Sequence, residues 1–197
     1  PSRFDDPSGW DSLFEQSDPY DLDNAYEDEK RERIMAMLEG EPLGEVFEPG
    51  CAEGHLTSLL AARATTVTAL DISARALGRA QDRLGGASNV TWVQSGLLEA
   101  RLAGPFDTIV CSELLYLLPS EEAVALAIAA MRDMLREGGR LLSVHAFMIN
   151  DQPHRTGIDS DLPFGGERIA AIIAETPGLV AEQVLRTPLY RMDIWRK

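Results

Sequence analysis

Past residue 44 the chain alternates short apolar runs with longer amphipathic ones. Glu45-Val-Phe-Glu-Pro49 predicts a short strand closed by Pro49-Gly50, and a helical run follows at Leu56–Arg63. Thr66-Val-Thr-Ala-Leu-Asp71 has the β-branched, apolar character of a buried strand, and Ser73 is placed to cap a helix over Ala74–Leu84. Asn89–Ser95 and Phe106–Cys111 predict two more strands, and Glu121–Leu135 an Ala-rich helix. Gly138-Gly139 turns the chain into a fifth strand, Arg140–Ala146. After a loop over 147–166 come a helix at Glu167–Glu175 and two runs, Val180–Arg186 and Leu189–Arg196, that read as a terminal hairpin. Strands alternating with helices at this spacing predict an α/β, Rossmann-like fold. It should have a seven-stranded, mostly parallel sheet, a C-terminal antiparallel hairpin and helices on both faces. Ligands of such sheets sit beyond the carboxyl ends of the strands.

The first 40 residues differ. Asn24 followed by Glu27 resembles a capping box, and Ile34, Met35, Met37 and Leu38 give the next helix an apolar face that Gly40 ends. Before Asn24 no periodicity is visible, and Asp6-Pro7-Ser8-Gly9 and Asp18-Pro19 read as turns in an irregular arm. Residues 1–29 hold ten acids against Arg3 alone, so they carry nine of the chain's fourteen net negative charges. They also hold Phe4, Trp10, Phe14, Tyr20 and Tyr26, more aromatics than a solvated tail keeps. The arm is therefore expected to pack in part, as a lid that favours a cationic or amine ligand. The 197 residues are read as one domain: arm and first helix over 1–40, ligand-binding core over 41–147, and substrate loop, helix and hairpin over 148–197.

Composition removes several functions. The net charge of −14 opposes binding to nucleic acid. No apolar run approaches the ~20 residues that span a bilayer, and no basic segment followed by an apolar one opens the chain. Cys51 and Cys111 are the only cysteines, which fits a reducing cytoplasm, and they are expected to be inert small hydrophobes. Three histidines, no CxxC and no clustered carboxylates argue against a metal site.

The chemistry concentrates at strand ends. Glu48-Pro-Gly50-Cys-Ala52-Glu-Gly54 places small residues at 50, 52 and 54, where backbone can approach a ligand closely. A dinucleotide fingerprint would need a small residue at 55, but His55 stands there, which disfavours a nicotinamide oxidoreductase. Asp71, 17 residues after Gly54, ends the second strand, where a carboxylate can accept both ribose hydroxyls. The alternative is a cap for the helix that follows. Glu113 follows the fourth strand and His145 nearly ends the fifth. Glu113 can hydrogen-bond an amine, or contact the cofactor site or a helix terminus; His145, since an unperturbed histidine titrates near 6.5, suits a general base, or else a structural histidine.

Glu48-x-Gly50-x-Ala52-x-Gly54, Ala69-Leu-Asp71-Ile-Ser73, Phe106 through Leu117 and Leu135-x-x-Gly-Gly-Arg-Leu-Leu, taken in order, resemble the class I S-adenosylmethionine-dependent methyltransferases. Within that class the chain is most similar to the nodulation protein S family. Asp18-Pro-Tyr20, Tyr26 to Arg33, Glu48 to Thr57, Trp92-Val-x-Ser95 and Ser112-Glu-Leu-Leu-Tyr116 carry the likeness, which fades after the fifth strand.

The resemblance implies N-methylation of a small-molecule or amino-sugar amine, with S-adenosyl-L-methionine as cofactor. An O-methyltransferase or a non-catalytic binding module of the same fold are the alternatives. It implies that Glu48 meets the methionine amino group, and that Gly50, Ala52 and Gly54 border the methionine and ribose. Asp71 would take the ribose, and Ile72 would flank the adenine. Ser112 and Glu113 would lie beside the methionine moiety. Tyr20 and Tyr26 are expected to close over the cofactor from the arm, and Tyr116, His154 and Arg155 to meet the acceptor. One departure stands out. Gly96, followed by Leu97, occupies the place where the class puts an acid for the adenine amino group. Backbone N–H groups at 96 and 97 are left to hold the ring nitrogens. Loss of that bond is expected to cost about 1.5–3 kcal/mol unless another group substitutes.

Overall fold

The computed structural model describes residues 6–151, 157–158 and 162–197 of the chain, so His154 and Arg155 lie outside the described residues. The backbone divides into two compact units, Pro1–Ala100 and Arg101–Lys197. In the first, β1 (Glu45–Pro49), β2 (Thr66–Asp71) and β3 (Val90–Gln94) pair in parallel with β2 in the middle. Val46 and Phe47 of β1 and Val67 and Ala69 of β2 are fully buried, which is why their apolar runs read as buried strands. Helices α3 (His55–Ala61) and α4 (Ala74–Leu84) pack on β2. Ser73 caps α4, its Oγ accepting the Ala76 N–H at 3.1 Å.

In the second unit β4 (Phe106–Ser112) pairs in parallel with β5 (Leu135–Ala146). Antiparallel β7 (Tyr190–Arg196) then joins β5 to the edge strand β6 (Val180–Arg186). Helices α5 (Glu121–Met134) and α6 (Gly166–Glu175) pack on β5. Over the chain the strand order is β3-β2-β1-β4-β5-β7-β6. This is the predicted seven-stranded, mostly parallel sheet with its C-terminal hairpin. The fifth strand differs from expectation by starting at Leu135. Gly138-Gly139 does not precede the strand but sits in an irregularity within it, where the register with β4 shifts.

The arm is the larger correction. Pro7–Leu13 is a helix, α1. The Asp6 side chain accepts the Ser8 N–H at 3.0 Å and Pro7 opens the first turn, so the residues that signal a turn here also start a helix. The next helix, α2 (Ala25–Met37), begins as expected, with Asn24 Oδ1 accepting the Glu27 N–H at 2.9 Å.

Within its unit the arm is fastened to α4. Asp11 Oδ1 accepts from Ser73 Oγ at 2.6 Å and from the Arg75 N–H at 3.1 Å. Arg79 donates to the carbonyls of Phe14 at 2.6 Å and Ser17 at 3.2 Å, and pairs with Glu53. Phe14 is 2% exposed and meets Tyr20 edge-on. Arg75, Arg79 and Arg83 recur every four residues along α4, so the acidic arm lies against a basic stripe.

Two outcomes follow. Arg79→Ala removes the donor shared by two arm carbonyls, and amide exchange across residues 7–17 should accelerate roughly tenfold or more, read by hydrogen exchange. The hydroxyl of Ser73 and the Arg75 amide hold the Asp11 carboxyl below its ordinary value. A depressed pKa adds stability that is present above the unfolded value, about 3.9, and is lost as pH falls through the lower folded value. Arm docking should therefore hold at neutral pH and loosen below about pH 4, and Asp11→Asn should remove that acid-side step in the same exchange measurement.

Candidate functional site

The turn from β1 into α3 is held by one carboxylate. Asp71 Oδ2 accepts the Ala52 N–H at 2.9 Å, and Oδ1 accepts the Ser73 N–H at 2.9 Å. Gly50 and Cys51 both donate to the Leu70 carbonyl, at 2.7 and 3.0 Å. The loop is bound into left-handed backbone at Gly50, Ala52 and Gly54, with φ of 72°, 46° and 77°. Gly54 also lets α4 come close, because a Cβ there would sit 2.9 Å from Ala80 Cβ. These contacts bring Glu48, Gly50, Ala52, Gly54, Asp71 and Ile72 to one end of the parallel strands, as the sequence predicts.

Polar groups at this turn are buried beyond their hydrogen-bonding means. Glu48 is 3% exposed, and its Oε2 has no partner. His55 Nδ1 and Thr57 Oγ1 are likewise buried without one. Three of the four such atoms among the described residues thus fall between residues 48 and 57. Unmet buried acceptors are costly, and they mark a place built for something else to enter. Burial pushes the Glu48 carboxyl up to about 8, and the Asp71 charge adds to the effect. Burial also raises Asp71. A buried acid that is neutral by default, with a free acceptor oxygen, suits an incoming ammonium group, which would restore its charge. The residues present therefore fit the amino-acid end and the ribose of the expected cofactor.

Burial raises the Cys51 thiol well above its usual value, and the Cys111 thiol is raised too, so neither is a ready nucleophile. His55, which only the size argument singled out, reaches the arm through Nε2, 3.1 Å from Asp23 Oδ1. Tyr20 and Tyr26 are 43% and 39% exposed. Tyr20 meets Phe14, and Tyr26 lies 5.5 Å beneath the Lys30 ammonium.

In the second unit Glu113 follows β4 in left-handed backbone, φ 51°. Its N–H is fixed to the Val144 carbonyl at 2.8 Å, and its Oε2 accepts from Tyr116 Oη at 2.7 Å and the Ala146 N–H at 3.0 Å. Ser112, Glu113 and Tyr116 are all half-buried. His145 is 1% exposed. Its Nε2 accepts the Leu115 N–H at 3.2 Å and its Nδ1 lies 3.0 Å from Ser143 Oγ. Both ring nitrogens are thus engaged, which suits a neutral ring that fixes the turn at Leu115–Leu117 better than the proton-accepting task expected of it.

Sequence reasoning missed Asp11 and Arg79, which close the arm on α4. The four-residue spacing of Arg75, Arg79 and Arg83 against an acidic arm was the available signal.

The family model for nodulation protein S (NodS) matches residues 11–172. Nodulation protein S of Sinorhizobium fredii is 30% identical over 161 residues, covering 81% of this chain and 72% of that protein. The Azorhizobium caulinodans protein of the same name is 31% identical over 127 residues, covering 64% of this chain. The match spans 61% of the Azorhizobium protein's length. The crystal structure of N-methyltransferase NodS from Bradyrhizobium japonicum, in complex with S-adenosyl-L-homocysteine, superposes with a TM-score of 0.85 at 25% identity. It covers 100% of this chain and 99% of that one. The fold is that of the class I methyltransferases, and, by the match over most of its length, the chain belongs to the nodulation protein S family.

Proposed function

We propose that the protein is an S-adenosyl-L-methionine-dependent methyltransferase acting on an amine of a small molecule or amino sugar. The observation that carries this reading is the partnerless, buried Glu48 carboxylate oxygen above the left-handed loop. The Bradyrhizobium relative is an N-methyltransferase crystallised with the demethylated cofactor, which supports the same reading. When bound, the cofactor supplies a methyl group on a positively charged sulfur. Glu48 binds the ammonium of its methionine end and ionises as it does so. Asp71 accepts the ribose hydroxyls while it keeps the Ala52 and Ser73 amides, because a carboxylate has lone pairs for more than two donors. Gly50, Ala52 and Gly54 let the backbone approach, and Ile72 gives the base an apolar face. The amides of Gly96 and Leu97 meet the ring nitrogens. Tyr20 and Tyr26 of the arm cover the bound molecule and keep water from it.

For the acceptor we assign the second unit. Methyl transfer asks for an aligned lone pair more than for a strong base. Glu113, held by the Tyr116 hydroxyl and the Ala146 amide, accepts a hydrogen bond from the incoming amine and takes its proton. Ser112 and Tyr116 flank that amine. His145 keeps the turn beneath Glu113 in register. The net charge of −14 favours a cationic amine over a neutral hydroxyl, which is why an amine suits this chain better.

Calorimetry with S-adenosyl-L-homocysteine tests the cofactor half. At pH 7 binding should release close to one proton, seen when titrations in buffers of different ionisation enthalpy are compared, because Glu48 enters neutral and leaves charged. Affinity should rise with pH until about 8 and then level, and Glu48→Gln should abolish the release. Asp71→Ala should abolish saturable binding. Failure of the wild-type protein to bind would overturn the reading. For any amine that is methylated in a screen with labelled cofactor, Glu113→Gln should lower kcat/KM by roughly a hundredfold while the homocysteine product still binds.

A further inference from the structure

The sequence leaves the adenine amino group without its usual acid, since residue 96 is glycine. The structure shows what lies over residue 96. The Ala100 N–H donates to the Gly96 carbonyl at 3.0 Å, which winds residues 96–100 into one helical turn. In such a turn a residue three positions on lies over the first. Glu99 is that residue, and it folds back over Gly96. A Cβ at Gly96 would overlap Glu99 Oε2 and would lie 3.2 Å from Glu99 Cδ. The carboxylate of Glu99 therefore occupies the space that a side chain at 96 would take, and Gly96 is what makes room for it.

The surroundings say what this carboxylate faces. The same Cβ position lies 3.8 Å from Ile72 Cδ1. Ser95 donates its N–H to the Asp71 carbonyl at 3.0 Å, and Gln94 Nε2 reaches the Ile72 carbonyl at 3.4 Å, so the end of β3 is tied to the end of β2. A nucleoside with its ribose on Asp71 and its base on Ile72 presents the edge of that base to this turn. Adenine carries a two-hydrogen donor on its edge, and an ionised carboxylate is an acceptor only.

We propose, resting on the cofactor reading above, that Glu99 is the acceptor for the exocyclic amine of the cofactor's adenine. Glu99 replaces an acid at position 96 from three residues downstream and makes the site select a 6-amino purine. Hypoxanthine, with a carbonyl in place of the amine, turns an acceptor toward the carboxylate and is rejected.

The test is calorimetry with S-adenosyl-L-homocysteine and its hypoxanthine analogue, S-inosyl-L-homocysteine, on the full chain. The wild type should favour the adenine compound by at least about tenfold. Glu99→Ala should weaken binding of the adenine compound about tenfold to a hundredfold and bring the two ligands within about threefold of each other. Gly96 is not among the glycines with positive φ, so its backbone admits a side chain once Glu99 is truncated. The pair Gly96→Asp with Glu99→Ala should restore both affinity and preference, which a merely structural role for Glu99 would not allow. Glu99→Ala binding the adenine compound as tightly as wild type, or losing both ligands equally, would overturn this assignment and leave the cofactor reading in place. A wild type that binds neither compound would overturn both.

Discussion

The carboxylate of Asp71 ties the turn after β1 to the end of β2 and the start of α4. One oxygen takes the Ala52 amide of the turn after β1, and the other takes the Ser73 amide that opens α4. Each is a charge-assisted bond in a place that water barely reaches, so each is worth more than its counterpart at the surface. Removing the carboxylate would free the turn from α4 and leave two buried amides unpaired. The left-handed conformation of Ala52, which a residue with a Cβ adopts reluctantly, persists because this bond holds it.

Burial then decides the chemistry at the same end of the strands. Glu48, Thr57 and His55 keep polar atoms out of water without satisfying them. A structure tolerates that debt where a ligand settles it. Glu113 differs, because its Oε2 is already committed to the Tyr116 hydroxyl and the Ala146 amide. The two acids thus differ in kind: Glu48 keeps a buried oxygen without a partner, while Glu113 is held in position.

Much of this was legible in the residues, because strands buried on both faces must read as apolar runs, and because small residues at 50, 52 and 54 have few other uses. The failures share a cause. Asp6-Pro7-Ser8-Gly9 begins a turn and a helix with the same atoms, and only the packing of Phe14 and the grip of Arg79 choose between them. His145 looks like a base in sequence, whereas its ring nitrogens are spent on Leu115 and Ser143, partners set by tertiary structure. At Gly96 a one-dimensional pattern compares like position with like and does not show the Glu99 side chain that lies over it.

Arg79 belongs to two structures at once. It holds the arm through the carbonyls of Phe14 and Ser17, and it holds the loop through Glu53. Groups that share one partner are thermodynamically linked, and such linkage is reciprocal. Whatever steadies the loop also steadies the arm, and a disturbance of the arm is felt as a change in the loop. The acidic segment is in this sense a gauge of the state of the loop, with one guanidinium touching both.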